Sequence, residues 1–154
     1  MKIYFENLQF GTVDFRIEDN YEMIIDIWFS HIAYNSLKDL VGVLRQLVLS
    51  QKCEIKVIFF AEPTEFEFIF HKNRDILNLN IFLFHDSRRV MGSSRHIFHI
   101  IGDIETICLP FWRALRSLQS KYSEEEFNEL WRSDFSYKEL DDLTAMIKTR
   151  KQFS

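Results

Sequence analysis

Alternating apolar and polar residues predict three strands at the start of the chain. The alternation runs through residues 2–8, 13–17 and 21–33. A period of two places successive side chains on opposite faces of a strand. Gly11 and the stretch Glu18-Asp19-Asn20 separate the three runs and have the composition of tight turns. The pattern therefore predicts an antiparallel meander.

A second group of strand patterns occupies the middle of the chain. They cover residues 55–60, 65–70, 77–84 and 96–101. The connections at 61–64 and 71–75 are too short for a crossover helix, so neighbouring strands must be antiparallel, and the polar stretch 85–95 is predicted to be a loop. In the run 65–70 the phenylalanines share one face and Glu65 and Glu67 the other. We expect the phenylalanine face in the core and the glutamate face in water.

Helical periodicity appears once between the two groups and again at the end. Apolar residues from Leu37 to Val48 follow the stripe of a one-sided helix, and Ser36 precedes it as a candidate cap. A further stripe covers 104–118, where Pro110 marks either a kink or the true first turn. Ser123 and Ser136 each open a capping box before a short apolar pattern.

These elements predict an α+β fold in one domain covering residues 1–154. The sheet is largely antiparallel with six or seven strands, one helix follows the third strand, and two or three helices end the chain. The formal net charge of −4 disfavours general binding to nucleic acid. No apolar run approaches a membrane span and the first residues do not resemble a secretory signal, so we expect a cytoplasmic protein.

Two histidines close to Asp103 raise the question of a metal site. His96 and His99 could share one ion on a helix. On the predicted strand they would point to opposite faces and could not meet. We therefore expect no metal and no cofactor.

An arginine-rich stretch leaves an enzymatic interpretation open. Arg88, Arg89 and Arg95 could hold a phosphate, and a neighbouring histidine could act as acid or base in a nuclease or another phosphoryl-transfer hydrolase, metal-dependent or not. The alternative is a solvated loop whose arginines pair with Asp86 or Asp103. Glycine-rich phosphate loops and nucleophile motifs are absent from the sequence, which favours a protein without catalytic residues.

A cluster of carboxylates is the candidate for binding a partner. Acidic residues on one strand face could dock on a basic protein surface, and carboxylates near the C-terminus could extend that surface. The predicted partner-binding residues are Glu62, Glu65, Glu67, Asp141 and Asp142.

The chain resembles the bacterial immunity proteins of contact-dependent growth inhibition and related polymorphic toxin systems. The resemblance lies in the aromatic strands Glu65-Phe66-Glu67-Phe68 and Asn78-Leu79-Asn80-Ile81-Phe82, and in two C-terminal stretches, Phe111 to Leu115 and Glu126 to Trp131. It implies a cytoplasmic, non-enzymatic protein that binds one cognate toxin domain tightly, with a basic nuclease as a suitable partner. A structural subunit of a larger assembly is the remaining alternative, and the oligomeric state stays open.

Overall fold

Seven strands and four helices are present in the part of the chain that the structure describes, in the order that the sequence predicts. The computed structural model describes residues 1–90 and 92–152, so Met91 of the predicted loop and residues 153–154 lie outside the described residues. The elements are β1 Lys2–Gln9, β2 Thr12–Asp19, β3 Glu22–Ser30, α1 Ser36–Leu49, β4 Lys52–Phe60, β5 Glu65–Asn73, β6 Ile76–Phe84, β7 Arg95–Gly102, α2 Ile104–Gln119, α3 Glu124–Trp131 and α4 Tyr137–Gln152.

The α+β class is confirmed. All seven strands form one sheet in sequence order, and every neighbouring pair is antiparallel. One helix follows the third strand and three follow the last. Among the described residues no helix combines the length and the apolar composition needed to cross a membrane.

The sheet is only weakly joined at its middle. β3 and β4 are joined through a single residue pair, Ser30 with Phe60. Phe15 of β2 nevertheless lies 5.8 Å from Phe68 of β5, measured between ring centroids. In a flat sheet these strands would be about 14 Å apart, because neighbouring strands are spaced by about 4.8 Å. The two halves therefore fold towards each other, and the aromatic core lies between them.

The helices complete this core from the other directions. α1 packs on β4, and α2 contacts β1, β6 and β7. Phe111 of α2 lies 5.7 Å from Phe70, and Trp131 of α3 lies 5.8 Å from Phe29, both between ring centroids. The residues that point into this core are Ile3 and Phe5 of β1, the odd-numbered residues 13–17 of β2 and the even-numbered residues of β5. The opposite sides of these strands form the outer faces.

The predictions for the helix ends are confirmed in part. The Ser123 capping box is present, and Glu139 N donates to Ser136 Oγ at 3.2 Å. The predicted cap at Ser36 is wrong, because Ser36 is already helical and donates its hydroxyl hydrogen to the carbonyl of Ile58 at 2.5 Å. Pro110 lies inside α2 and does not begin it, since Asp103 is the N-cap.

Candidate partner-binding surface

The two glutamates expected on a solvent-exposed strand face are buried. Glu65 has no exposed surface and Glu67 is 8% exposed. The loop after β6 folds over this part of the outer face and places Arg89 against both carboxylates. Arg89 Nε donates to Glu65 Oε1 at 2.7 Å, and Arg89 Nη1 donates to Glu67 Oε2. The prediction that these glutamates face water is therefore wrong.

Three further side chains complete this buried ionic cluster. Tyr34 OH donates to Glu65 Oε2 at 3.1 Å, and Lys56 Nζ lies 3.5 Å from Glu67 Oε1. The Arg89 guanidinium also lies over the Phe84 ring, 4.5 Å from its centroid. Burial works to lower the pKa of Arg89, but the hydrogen bonds to Glu65 and Glu67 outweigh it and the pKa is raised. The cluster thus has paired charges, and it offers no free acidic strip to a partner.

The other three predicted residues are accessible but lie apart. Glu62 is exposed in the turn before β5. Asp141 and Asp142 lie on α4, where Asp141 pairs with Arg116 at 3.3 Å and Asp142 with Lys138 at 2.9 Å. Because α4 packs on α1 and α2, it lies on the core side of β4–β7, opposite Glu65 and Glu67. The five residues therefore do not form one surface. Contact with a partner remains a prediction for Glu62, Asp141 and Asp142.

The exposed acidic sheet face lies on β1–β3 instead. Residues directly opposite one another on neighbouring strands share a face. Two rows of three side chains cross the outer side of these strands in this way, and we call them the acidic aromatic face: Tyr4, Arg16 and Asp26 in one row, and Glu6, Asp14 and Trp28 in the other.

This face combines unbalanced charge with one exposed aromatic ring, that of Trp28, and one half-buried ring, that of Tyr4. Trp28 is 46% exposed, and Asp14 and Asp26 are exposed beside it. Arg16 is the cation of the face; its guanidinium carbon lies 4.4 Å from the Tyr4 ring centroid and its Nη2 lies 3.6 Å from Glu6 Oε1. The side chains surround a shallow groove of about 260 Å³.

The second row also contains a repulsive arrangement. Glu6 and Asp14 are directly opposite each other on β1 and β2, and like charges in this position destabilise a sheet. Asn7 reduces the cost, since its Nδ2 donates to Asp14 Oδ2 at 2.7 Å. Charged residues that lower the stability of a fold are typical of surfaces that serve binding. This face is not among the predicted binding residues, although the alternation in β1–β3 already separates the outward residues from the core.

The arginine-rich stretch has mostly internal partners. Arg88 Nη2 pairs with Asp86 Oδ2 at 2.8 Å, and Arg89 belongs to the buried cluster. Arg95 and His96 are exposed at the start of β7. Asp103 is the N-cap of α2 and accepts a hydrogen bond of 2.8 Å from Thr106 N, which holds the pKa of its carboxyl below the usual range.

The expectation that His96 and His99 point to opposite faces is wrong. The pairing of β6 with β7 shifts between Ile81 and Phe82, because β7 contains an extra residue there. His96 therefore lies on the same side as His99, with 6.3 Å between their ring centroids. Within the described residues, no group of three or more histidine, cysteine, aspartate or glutamate side chains is arranged to hold a metal ion.

The two cysteines are both free, and they differ in accessibility. Cys53 is partly exposed, whereas Cys108 is buried in α2. Burial raises the pKa of the Cys108 thiol to about 12. A thiol with so high a pKa is a poor nucleophile near neutral pH, because the thiolate is the reactive form.

Comparisons of this chain with protein-family models, with curated proteins and with solved structures found no match. The geometry of the chain itself therefore carries the functional argument. Its most distinctive surface feature is the acidic aromatic face.

Proposed function

We propose that this chain is a non-enzymatic binding protein that neutralises a cognate bacterial toxin domain by forming a tight complex with it. The observation that carries the proposal is the acidic aromatic face. Tryptophan and tyrosine are enriched among the residues that dominate binding energy at protein interfaces. Here both lie on a rigid three-stranded platform among carboxylates.

The charge of the face indicates the chemistry of the partner. Four carboxylates lie on the outer side of β1–β3, those of Glu6, Asp14, Glu18 and Asp26. Two cations, Lys2 and Arg16, lie on the same side, so this side of the sheet has an excess of negative charge. A surface of this sign attracts a basic protein surface and accelerates encounter by electrostatic steering. The substrate cleft of a nuclease is basic because it binds phosphates, so a nuclease toxin is a fitting partner.

The class of function is tested by co-expression. The chain is produced together with the polypeptide encoded immediately upstream of it, and one of the two is purified. We expect a stable complex, and we expect the partner alone to stop cell growth. Failure to co-purify, with no rescue of growth, would contradict the proposed class.

The surface is tested separately on the same complex. Asp26→Lys should slow association by about tenfold at low salt and reduce its dependence on salt. Trp28→Ala should weaken the complex by about 2 kcal/mol, mainly through faster dissociation. Glu129→Lys is the matched control, since Glu129 is an exposed carboxylate on α3, outside the face. If all three variants form the complex normally, the acidic aromatic face is not the binding surface. The proposed class of function, toxin neutralisation, would not be affected by that result.

One observation supports the enzymatic alternative. His96 and His99 share a face and could serve as an acid and base pair for phosphoryl transfer. Two of the three nearby arginines are already paired with carboxylates, which leaves little positive charge to stabilise a phosphorane. Intact labelled RNA after prolonged incubation with the purified chain would count against this alternative.

A further inference from the structure

A bulge in β7 brings two imidazoles together on the outer face of the sheet. Ile81 is opposite Phe98, whereas Phe82 is opposite His96, so Ile97 is the extra residue of β7. His99 is opposite Asn80 in the same ladder. On a regular strand, residues three apart point to opposite faces. The extra residue of the bulge reverses this for His96 and His99, so both rings lie on one face.

The His99 ring is oriented by a neighbour on β6. Its Nε2 lies 3.2 Å from Asn78 Oδ1. Because an amide oxygen only accepts hydrogen bonds, Nε2 is the nitrogen that carries hydrogen in this contact. The lone pair of the neutral ring is then on Nδ1. In metal sites, the ring nitrogen of a histidine that does not bind the metal usually donates a hydrogen bond to such an oxygen.

The His96 ring is held by stacking. It lies 4.9 Å from the Phe82 ring, between centroids, at an interplanar angle of 29°. No hydrogen bond to the His96 ring is present in the part of the chain that the structure describes. Both histidines are exposed, so their free nitrogens are accessible to a dissolved ion.

We propose that His96 and His99 form a binding site for one borderline divalent transition metal ion of the Zn²⁺ and Ni²⁺ class. A metal–nitrogen distance of about 2.0–2.1 Å places each ring centre about 3.2 Å from the ion, so at a tetrahedral angle two rings that share an ion lie about 5 Å apart. The His96 and His99 rings lie 6.3 Å apart, and a shift of about 1 Å by these two exposed side chains brings them to that geometry. Imidazole suits these metals, and water completes the coordination.

The site lies close to the acidic aromatic face. Because the two halves of the sheet fold towards each other, His96 of β7 lines the same groove as Asp26 of β3. Metal binding is tested on the free chain, so its failure and a failure of toxin binding are distinguishable. With two protein ligands the ion keeps open positions. It can therefore accept a further donor from another molecule.

The test is a titration of the untagged chain with Ni²⁺ and with Zn²⁺ near neutral pH, followed by calorimetry. We expect one ion per chain, with affinity lowered about tenfold or more by His96→Ala and by His99→Ala, and lowered less by Asn78→Ala. His85→Ala is the matched control, because His85 is exposed in the loop after β6 and does not belong to the pair. Ni²⁺ should also broaden the amide NMR signals of β6 and β7 selectively.

The proposal is overturned if neither metal binds, if His96→Ala and His99→Ala bind like the unmodified chain, or if His85→Ala loses as much affinity as they do. Circular dichroism of each variant checks that the fold is retained.

Discussion

Arg89 Nε lies 2.7 Å from Glu65 Oε1 and joins a loop residue to a fully buried carboxylate 24 residues earlier in the chain. The contact fastens the loop after β6 onto the outer face of β4–β6. It also converts what the strand pattern presents as an acidic surface into an interior ion pair. A buried pair contributes modestly when intact, but removing one partner leaves a charge without compensation.

Removing the guanidinium should therefore cost much of the stability of the protein. We expect Arg89→Ala to lower the free energy of unfolding by about 3–5 kcal/mol, because Glu65 and Glu67 would remain buried without their main cation. Arg89→Lys should fall in between, since lysine retains the charge but cannot reproduce the two-pronged geometry. Urea unfolding followed by circular dichroism measures both values.

The neighbouring arginine provides the control for that experiment. Arg88 pairs with Asp86 at the surface, with 80% of its side chain exposed. Exposed pairs contribute little, so Arg88→Ala should change the free energy of unfolding by less than about 1 kcal/mol. Equal losses for Arg88→Ala and Arg89→Ala would show that the buried cluster has no special role.

The acidic aromatic face should be separable from folding. Trp28 is 46% exposed, so Trp28→Ala should lower the free energy of unfolding by about 1–2 kcal/mol through the apolar surface it no longer buries. Asp26 is exposed without an ion pair among the described residues and lies opposite Arg16, so Asp26→Lys should lower it by no more than about 1 kcal/mol. Thermal and chemical denaturation of the free chain check this. A large loss of stability would mean that weakened partner binding by these variants reports on folding and not on contact.

At the N-cap of α2, the contribution of the capping hydrogen bond of Asp103 can be measured separately from the contribution of its charge. Asp103→Ala should cost about 1 kcal/mol, because Thr106 N loses its acceptor, whereas Asp103→Asn retains a capping oxygen and should cost much less. The lowered pKa of Asp103 means that its ionic contribution is present above the unfolded-state value and is lost as pH falls through the folded-state value. Asp103→Asn should therefore show a weaker loss of stability on acidification.

Cys108 predicts an effect of alkaline pH. Its unfolded thiol ionises near 9.0, while the folded thiol has a pKa of about 12. Between these values the folded state binds more protons than the unfolded state, so stability falls as pH rises. The slope should be smaller in Cys108→Ala. It should not disappear, because burial also raises the pKa of Tyr137 to about 12.

Thiol labelling checks the same burial at lower pH. In the native chain a colorimetric disulfide reagent should modify Cys53 and leave Cys108 unreactive, so that Cys53→Ser abolishes native-state labelling. Both thiols should react after denaturation. Rapid native labelling of Cys53→Ser would contradict the buried position of Cys108.

Most of the fold could be predicted because its signals are local. Alternation at Phe66, Phe68 and Phe70 and the helical stripe from Leu37 onwards reflect the backbone periods of 2.0 and 3.6. The capping box at Ser123 involves residues three apart. The error at Ser36 has a tertiary cause, since the carbonyl of Ile58 on β4 takes the hydroxyl that was expected to cap the helix.

The candidate sites depended on contacts that no local pattern contains. Alternation correctly placed Glu65 and Glu67 on the side opposite the phenylalanines, but only the folded loop brings Arg89 over them. The spacing of His96 and His99 predicts opposite faces for a regular strand, and the bulge reverses that outcome.

The sequence by itself determined the order of strands and helices, their antiparallel connections and the split between apolar and polar sides, because each follows from backbone geometry over a few residues. Only the tertiary structure decided which polar side meets water. Around Glu65 and Glu67 the outer face of β4–β6 is covered by its own loop, whereas the outer face of β1–β3 remains open with Trp28, Asp14 and Asp26 exposed. Burial of a charged side chain depends on whether a distant segment supplies an opposite charge, and a strand pattern does not contain that information.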